Sequence, residues 1–430
     1  MNHSAGISRK IARLLVASGA LLLALGLGNH AAATAAHAKH HAHTAHKSSA
    51  HRKPRLAAGK HSSRKAVATA KSKPIQQAVI TTKAHVEAPD FDFQPRIQEA
   101  QALAAKQPVL PGDMVVSGSS LASFNWVLVV GQKTGPLTVL RMDEQGRNDQ
   151  GFNVTWPVNN YLNTKFTVES TGAPGTPAIG AAGGAMTVFA QRRPVRGKGG
   201  FEEAVYTAYA PELDTQKMRD AGMDYLRTLE HLAYNRVNDH DVRSLAAPAK
   251  TVAEEIPRDM VLRLMITEHV DPLHMKFVGI EQCVHEVLIT IAANRDKSYA
   301  YARSSAGALG LPQFMESSYQ MVRSNYPKAL LEPDFNLGMT NLHNAVLASL
   351  LLLDLELTEL PQATLRKVSD SSKTFAAYLA AGYNRNPVHV VKTYLKTNSM
   401  TGGHAPFENK MYVRIQAWVG DFLKKEYDVR

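Results

Sequence analysis

The sequence predicts an α+β protein in which a small β-rich module and a disordered basic tail precede a predominantly α-helical C-terminal domain. Three observations support this fold class. Basic residues are concentrated at the start of the chain, β-type patterns occupy residues 110–195, and apolar spacings of three and four dominate from about residue 201 onward. With 430 residues, the chain is long enough for two or three domains with sizeable cores.

Residues 1–38 have the features of a secretory signal. Three basic residues lie at positions 9–13, an apolar run covers residues 14–25, and Ala36-His37-Ala38 forms an A-x-A cleavage pattern. Because the apolar run is shorter than the ~20 residues of a membrane-spanning helix, we expect cleavage and no transmembrane segment afterwards. The expected location is the periplasm or the cell envelope.

Residues 39–109 are expected to form a disordered, His- and Lys-rich tail and linker. Lys, His, Ala, Ser and Thr dominate its first part, a composition that buries too little apolar surface to fold. The net charge of +12 comes from residues 1–73; the rest holds 36 basic and 37 acidic residues, so we expect no nucleic-acid partner. The histidines at positions 40–46 could bind a metal weakly. The preferred interpretation is a flexible, positively charged segment that is attracted to anionic envelope polymers.

The β-rich module is assigned to residues 110–195. Strands are predicted at 125–131, 137–142, 165–168 and 186–190, and residues 171–184 are predicted to form a loop rich in Gly, Ala and Pro. No motif attaches this module to a chemical reaction. Glycan binding, protein binding and a spacer role therefore remain open.

Helical patterns follow, with a connector at 196–250 and a C-terminal domain at 251–430. Helices are predicted around 221–229, 259–267, 284–293, 317–326, 342–357 and 375–381. The only cysteine, Cys283, excludes an intramolecular disulfide and a cysteine-based zinc site, and its helical setting indicates a small buried side chain.

Three segments could carry chemistry. Glu268 ends an apolar helix just before the turn at Asp271-Pro272; a Gly-rich segment follows at residues 304–313; and Tyr383-Asn384 precedes a Pro-containing turn. Together and in this order they resemble the motifs of lytic transglycosylases of the soluble, goose-lysozyme-like superfamily, which cleave bacterial peptidoglycan.

The resemblance covers roughly residues 255–400 and implies a lysozyme-like fold that needs no cofactor and no metal. It implies that Glu268 is the catalytic residue and that peptidoglycan glycan strands are the binding partner. The residues that it places at the substrate are Ser304, Gly307, Ala308, Gln313, Tyr383 and Asn384.

The chain also departs from the family pattern. Glu268 and Ser304 are 36 positions apart, much farther than in typical members, so an extra helix is predicted at about 276–295. This insertion brings in Glu281 and Glu286 as competitors for the catalytic role. Glu268 is preferred because it keeps the position at a helix end. Gly382 also replaces the family's alanine.

Cleavage of a glycosidic bond needs a carboxylic acid that stays protonated near neutral pH. The apolar helix face beside Glu268 disfavours the charged form and is expected to raise the pKa of its carboxyl. No second acid is obvious in the motifs. The resemblance implies that one glutamate acts first as acid and then as base, and that the C6 hydroxyl of N-acetylmuramic acid closes a 1,6-anhydro ring.

Two alternatives remain open for the function: a muramidase that uses water, and a non-catalytic peptidoglycan-binding scaffold with a protein partner in an envelope machine. A metal site at Glu268, His269, Asp271 and His274 is disfavoured, because the set lacks H-E-x-x-H spacing and contains a proline.

Overall fold

The computed structural model describes residues 90–157, 159–171, 185–197, 199–403 and 405–429. The predicted signal, most of the predicted tail and most of the predicted loop at 171–184 lie outside these residues. From Asp90 onward the chain belongs to one compact unit. The part that the structure describes is a mixed fold of twelve α-helices and eight strands.

The sheet is antiparallel. A hairpin of β1 (Met114–Ser117) and β2 (Ser120–Phe124) precedes a six-stranded sheet with the order β4-β3-β7-β6-β5, in which β8 pairs with β7. Its strands are β3 (Trp126–Gly131), β4 (Leu137–Met142), β5 (Phe152–Thr155), β6 (Thr167–Ser170), β7 (Ala185–Gly197) and β8 (Gly200–Tyr206). The strands predicted at 125–131, 137–142 and 186–190 are confirmed as β3, β4 and β7, and the strand predicted at 165–168 begins two residues later, as β6. Every residue of β3 is buried, because the strand is covered on both faces.

The first helix, α1 (Gln94–Lys106), corrects the prediction of a disordered linker up to residue 109. Its inner face consists of Ile97, Ala100 and Ala104, which pack in one core cluster with Val129 and Phe189 of the sheet. Two of the three inward positions are alanines, so the helix carries only a weak apolar pattern and was overlooked in the sequence.

The remaining helices follow the sheet. They are α2 (Gln216–Asp239), α3 (Val252–Glu255), α4 (Arg258–Thr267), α5 (Pro272–Asn294), α6 (Glu316–Asn325), α7 (Phe335–Thr340), α8 (Leu342–Leu357), α9 (Gln362–Ser369), α10 (Ser372–Asn384), α11 (Pro387–Thr397) and α12 (Phe407–Tyr427). The six predicted helices are confirmed within this series. Residues 196–250 are not a helical connector, because they contain β8, and α2 lines the main helical core.

Helix α8 lies at the centre of that core. Fourteen of its residues are buried, including Asp354 and Glu356, so the helix is enclosed on all sides. Among the described residues, no helix is long and apolar enough to cross a membrane.

The predicted insertion between Glu268 and Ser304 is helical, as expected. Helix α5 covers most of it, but Gly279 interrupts the helix with φ 85° and ψ 168°, a backbone conformation that favours glycine. Cys283 lies in this helix and is buried, as predicted.

Candidate active site

Glu268 directly follows α4 and caps the C-terminal end of this helix. Its backbone N–H donates to the carbonyl of Leu264 at 3.1 Å, and the chain then turns at Val270, Asp271 and Pro272. The residue keeps some exposure to solvent, but the surrounding buried side chains raise the pKa of its carboxyl to about 8. A carboxyl with this pKa is largely protonated at pH 7 and can donate a proton.

Tyr412 of α12 is the direct partner of this carboxyl. Its hydroxyl donates to Glu268 Oε1 at 2.5 Å, and this hydrogen bond opposes the effect of burial on the pKa of Glu268. Burial and the nearby Glu268 carboxyl raise the pKa of Tyr412 well above its ordinary value, so the phenol stays a donor. The sequence analysis missed Tyr412, because it resembles one more buried residue on the apolar stripe of a helix.

The residue after Glu268 connects α4 to the Gly-rich segment. His269 Nε2 lies 2.8 Å from the carbonyl oxygen of Leu311, and its ring stacks on Tyr299 with centroids 3.6 Å apart. Burial lowers the pKa of His269 to about 3, so the ring is neutral at ordinary pH. Because a carbonyl only accepts, the neutral ring must carry its proton on Nε2.

The segment at residues 302–314 is a compact loop that its own hydrogen bonds hold together. Ser304 Oγ accepts from the backbone N–H of Ala308 at 3.0 Å, and Gln313 Nε2 donates to the carbonyl of Gly310 at 2.8 Å. Gly310 has φ 80°, and a Cβ there would lie 2.6 Å from the carbonyl oxygen of Met339. Ser304, Gly307, Ala308 and Gln313 thus shape this loop, with Gly307 at φ 92° in its turn.

Tyr383 of α10 meets the same loop. Its hydroxyl donates to the carbonyl of Pro312 at 2.8 Å, and the Glu268 carboxyl is near enough to contribute, after burial, to raising the pKa of Tyr383 well above its ordinary value. Asn384, the last residue of α10, is partly exposed beside it. The structure therefore brings all three sequence segments together around Glu268.

A second buried carboxyl, Glu356, lies behind this site. It is 5% exposed, and its Oε2 has no hydrogen-bond partner. Burial raises the pKa of Glu356 well above its ordinary value. A negative charge on Glu356 would in turn raise the pKa of the Tyr383 and Tyr412 hydroxyls. The motifs gave no sign of this acid, because it lies in the Leu-rich helix α8.

The two competing glutamates have other partners. Glu286 lies within α5, where Lys165 Nζ approaches one carboxylate oxygen to 2.7 Å and His274 Nε2 approaches the other to 3.0 Å. Glu281 is largely exposed, 3.9 Å from Lys425. Both residues lie within α5, and neither occupies the position at the end of α4, so Glu268 remains the candidate acid.

The polar residues around Glu268 have separate roles. Asp271 accepts from the backbone N–H of Leu273 at 2.7 Å and caps α5, while His269 and His274 bond to different partners. Among the described residues, no group of three His, Cys, Asp or Glu side chains could hold a metal ion.

No family model matches the chain, and no curated protein or solved structure matches it either. The geometry of the site is therefore the basis on which a function is proposed.

Proposed function

We propose that the protein is a lytic transglycosylase that cleaves the β-1,4 bond between N-acetylmuramic acid and N-acetylglucosamine, using a lysozyme-like helical domain. The observation that supports this best is a carboxyl at a helix end with a pKa of about 8, around which the three family-like segments meet. Glu268 is the proposed acid and base.

The proposed reaction needs one carboxyl and no water. Protonated Glu268 gives its proton to the glycosidic oxygen while the bond from that oxygen to C1 of N-acetylmuramic acid breaks. The C6 hydroxyl of the same sugar then attacks C1, and its proton passes to the Glu268 carboxylate. The products are a 1,6-anhydro end and a free 4-hydroxyl, and Glu268 returns to its starting state.

Tyr412 has a defined part in this cycle. Its hydroxyl hydrogen bond stabilises the carboxylate form of Glu268, which exists between the two proton transfers. His269 and Tyr383 hold the loop at 302–314 in place, and we assign this loop to one wall of the proposed sugar site. Ser304, Gly307, Ala308, Gln313 and Asn384 are proposed to contribute to this wall.

We also propose that the enzyme acts in the periplasm or cell envelope, where peptidoglycan lies. The signal-like start and the cationic tail of the sequence support this location. The function of the β-rich part within the proposal is to support the helical domain, since α1, the sheet and α5 share a core cluster.

The test is a digest of purified sacculi analysed by mass spectrometry. The wild type should release muropeptides that are one water lighter than hydrolysis would give. Glu268→Gln keeps the shape of the side chain but cannot transfer the proton, so product release should fall by at least the ~10²–10⁴-fold typical of acid–base catalysis. Glu281→Gln and Glu286→Gln are the matched controls and should keep most of the activity.

Other outcomes would replace the proposal. Hydrated ends throughout would indicate a muramidase. Binding to sacculi without any cleavage would indicate a scaffold protein. If the Glu286→Gln variant lost activity while the Glu268→Gln variant kept it, the catalytic acid would be Glu286 of α5.

A further inference from the structure

Arg193 of β7 carries a positive charge inside the β-rich part of the protein. The residue is 5% exposed, and its guanidinium carbon lies 4.4 Å from the ring centroid of Phe124 and 4.4 Å from that of Trp126. The ring of Tyr161, with its centroid at 5.3 Å, completes a three-sided aromatic cage. Because Tyr161 is 68% exposed, it forms the side of the cage that faces solvent.

This buried cation has no ion-pair partner among the described residues. Its one hydrogen bond there runs from Nη1 to Asn159 Oδ1 at 3.3 Å, and Nε is buried without a partner. Glu144 acts on the guanidinium only through space, and its carboxylate accepts from the backbone N–H of Phe124 at 3.0 Å. Burial lowers the pKa of Arg193 to about 10, so the side chain is still charged at neutral pH. A buried charge without a counter-ion is costly, and this favours an anion at the site.

The adjacent arginine shows how the same strand compensates a buried cation. Arg192 is 3% exposed and lies on the opposite face of β7. Its Nη1 donates to the backbone carbonyls of Ala104 and Gln107 at 3.2 Å and 2.6 Å. Its Nε lies 3.3 Å from Glu203 Oε2. Arg193 is equally buried and has neither a carboxylate nor a set of carbonyls, so its partner is to be sought outside the fold.

The free part of the Arg193 guanidinium indicates which anion fits. Nε has no partner, and Nη2 makes no hydrogen bond within the part of the chain that the structure describes. These two nitrogens lie on the same edge of the planar group, where their N–H bonds are parallel. That spacing matches the two oxygens of a carboxylate, which can accept both bonds at once. The free edge therefore favours a carboxylate ligand.

Gln191 adds a second unpaired group on the same face of β7. It lies two residues before Arg193 and is fully buried. Its Nε2 donates to the carbonyl of Leu162 at 2.6 Å, whereas its Oε1 has no partner. A buried acceptor of this kind calls for an N–H or O–H donor. The carboxyl terminus of a peptide offers both groups within a few ångströms, a carboxylate and the amide N–H of its last residue.

We propose that the β-rich part binds the carboxyl terminus of a peptide, with the carboxylate paired to the Nε–Nη2 edge of Arg193 and the terminal amide N–H donated to Gln191 Oε1. Tyr161, the outer wall of the cage, packs against the last side chain of this peptide. The inference goes beyond the proposed function, which gives the β-rich part a supporting role only. Stem peptides of peptidoglycan end in D-residues and protein chains in L-residues, so the configuration of the ligand distinguishes the two sources.

The test titrates the full chain with N-acetyl-D-alanyl-D-alanine and, separately, with its L,L isomer, and measures the heat of binding. At least one isomer should bind at millimolar concentration. Its C-terminal amide should bind about tenfold more weakly or worse, because the charge-assisted pair is lost. Arg193→Lys keeps the charge but lacks the fork of donors, so the affinity should again fall about tenfold. Arg196→Lys makes the same change at an arginine of β7 that donates to the carbonyl of Ser119, and this matched control should keep the affinity.

The outcomes decide both the site and its source. Binding of the D,D isomer alone assigns the site to stem peptides, binding of the L,L isomer alone assigns it to a protein terminus, and binding of both supports a site for either. Equal affinity for acid and amide would overturn the inference in the wild type, without any substitution. Full affinity in Arg193→Lys would overturn it too, as would the failure of both isomers to bind at millimolar concentration. Glu268 takes no part in this binding, so the sacculus digest can succeed or fail independently.

Discussion

Gly382 leaves open the space that the Glu356 carboxyl occupies. A Cβ on Gly382 would lie 2.5 Å from Glu356 Oε2, closer than two unbonded atoms can approach. Glycine inside a helix costs about 0.5–1 kcal/mol relative to alanine, and an unpartnered buried carboxyl is costly as well. Both features occur beside Tyr383. The glycine at position 382 therefore has a physical cause in α8.

A double-mutant cycle tests this relationship. Gly382→Ala alone should destabilise the protein, because the new methyl group would displace the buried carboxyl of Glu356. In the Glu356→Ala background the same change should stabilise the protein, since alanine is the better helix residue. The expected coupling is about 1–3 kcal/mol, measured by denaturant unfolding. Equal effects of Gly382→Ala in both backgrounds would show that the two side chains do not compete for space.

The raised pKa of Glu356 predicts a pH-dependent cost in stability. The folded state keeps the proton at pH values where the unfolded chain, with a pKa near 4.5, has released it. The free energy of unfolding of the wild type should therefore fall relative to that of Glu356→Gln as pH rises above 4.5, by at most about 1.4 kcal/mol per pH unit. Unfolding curves of both proteins at pH 4, 6 and 8 give this difference. A constant difference would mean that Glu356 is charged in the folded protein.

The sequence predicted those parts of the fold whose residues carry a strong local pattern. The apolar run before Glu268 and the turn at Asp271-Pro272 placed this residue at a helix end, where the structure has it. Helix α1 was missed because alanines form most of its buried face. Periodicity thus identified elements with large apolar side chains and not those with small ones.

The candidate site was predictable only in part, because its contacts are tertiary. Tyr412 is 144 residues from Glu268, and no local pattern distinguishes it from its buried neighbours in α12. Glu356 is equally hidden, since α8 is enclosed on all sides and has no polar face against which an acid would stand out. Only the packing of helices brings these residues together.

Tyr412→Phe should change the pH dependence of the proposed reaction. The tyrosine hydroxyl lowers the pKa of Glu268, so its loss should raise that pKa above about 8 and move the alkaline decline of the rate to higher pH. The maximal rate should fall, because the carboxylate form of Glu268 loses a charge-assisted hydrogen bond. Rates on soluble glycan fragments from pH 5 to 10 measure both effects.

Tyr234→Phe is the matched control for this experiment. Its hydroxyl donates to the backbone carbonyl of Ile256 at 2.9 Å in a buried setting. The control should lose stability without a shift of the pH profile. A profile that moves to lower pH in Tyr412→Phe would contradict the assigned hydrogen bond.

His269→Phe should weaken the connection between α4 and the loop at 302–314. Phenylalanine can keep the stacking on Tyr299 but leaves the carbonyl of Leu311 without its donor, at an expected cost of about 1–3 kcal/mol near pH 7.5. The pKa of His269 is about 3 in the folded protein, against 6.5 for a free histidine side chain. As pH falls below 6.5, the unfolded wild type gains a proton that the folded state does not take up, so the wild type loses stability. The phenylalanine variant lacks this loss. The stability advantage of the wild type should therefore fall steadily below pH 6.5, by up to about 1.4 kcal/mol per pH unit, and reverse in sign before pH 4 in denaturant unfolding. An advantage that grows on acidification would show that His269 is protonated in the fold.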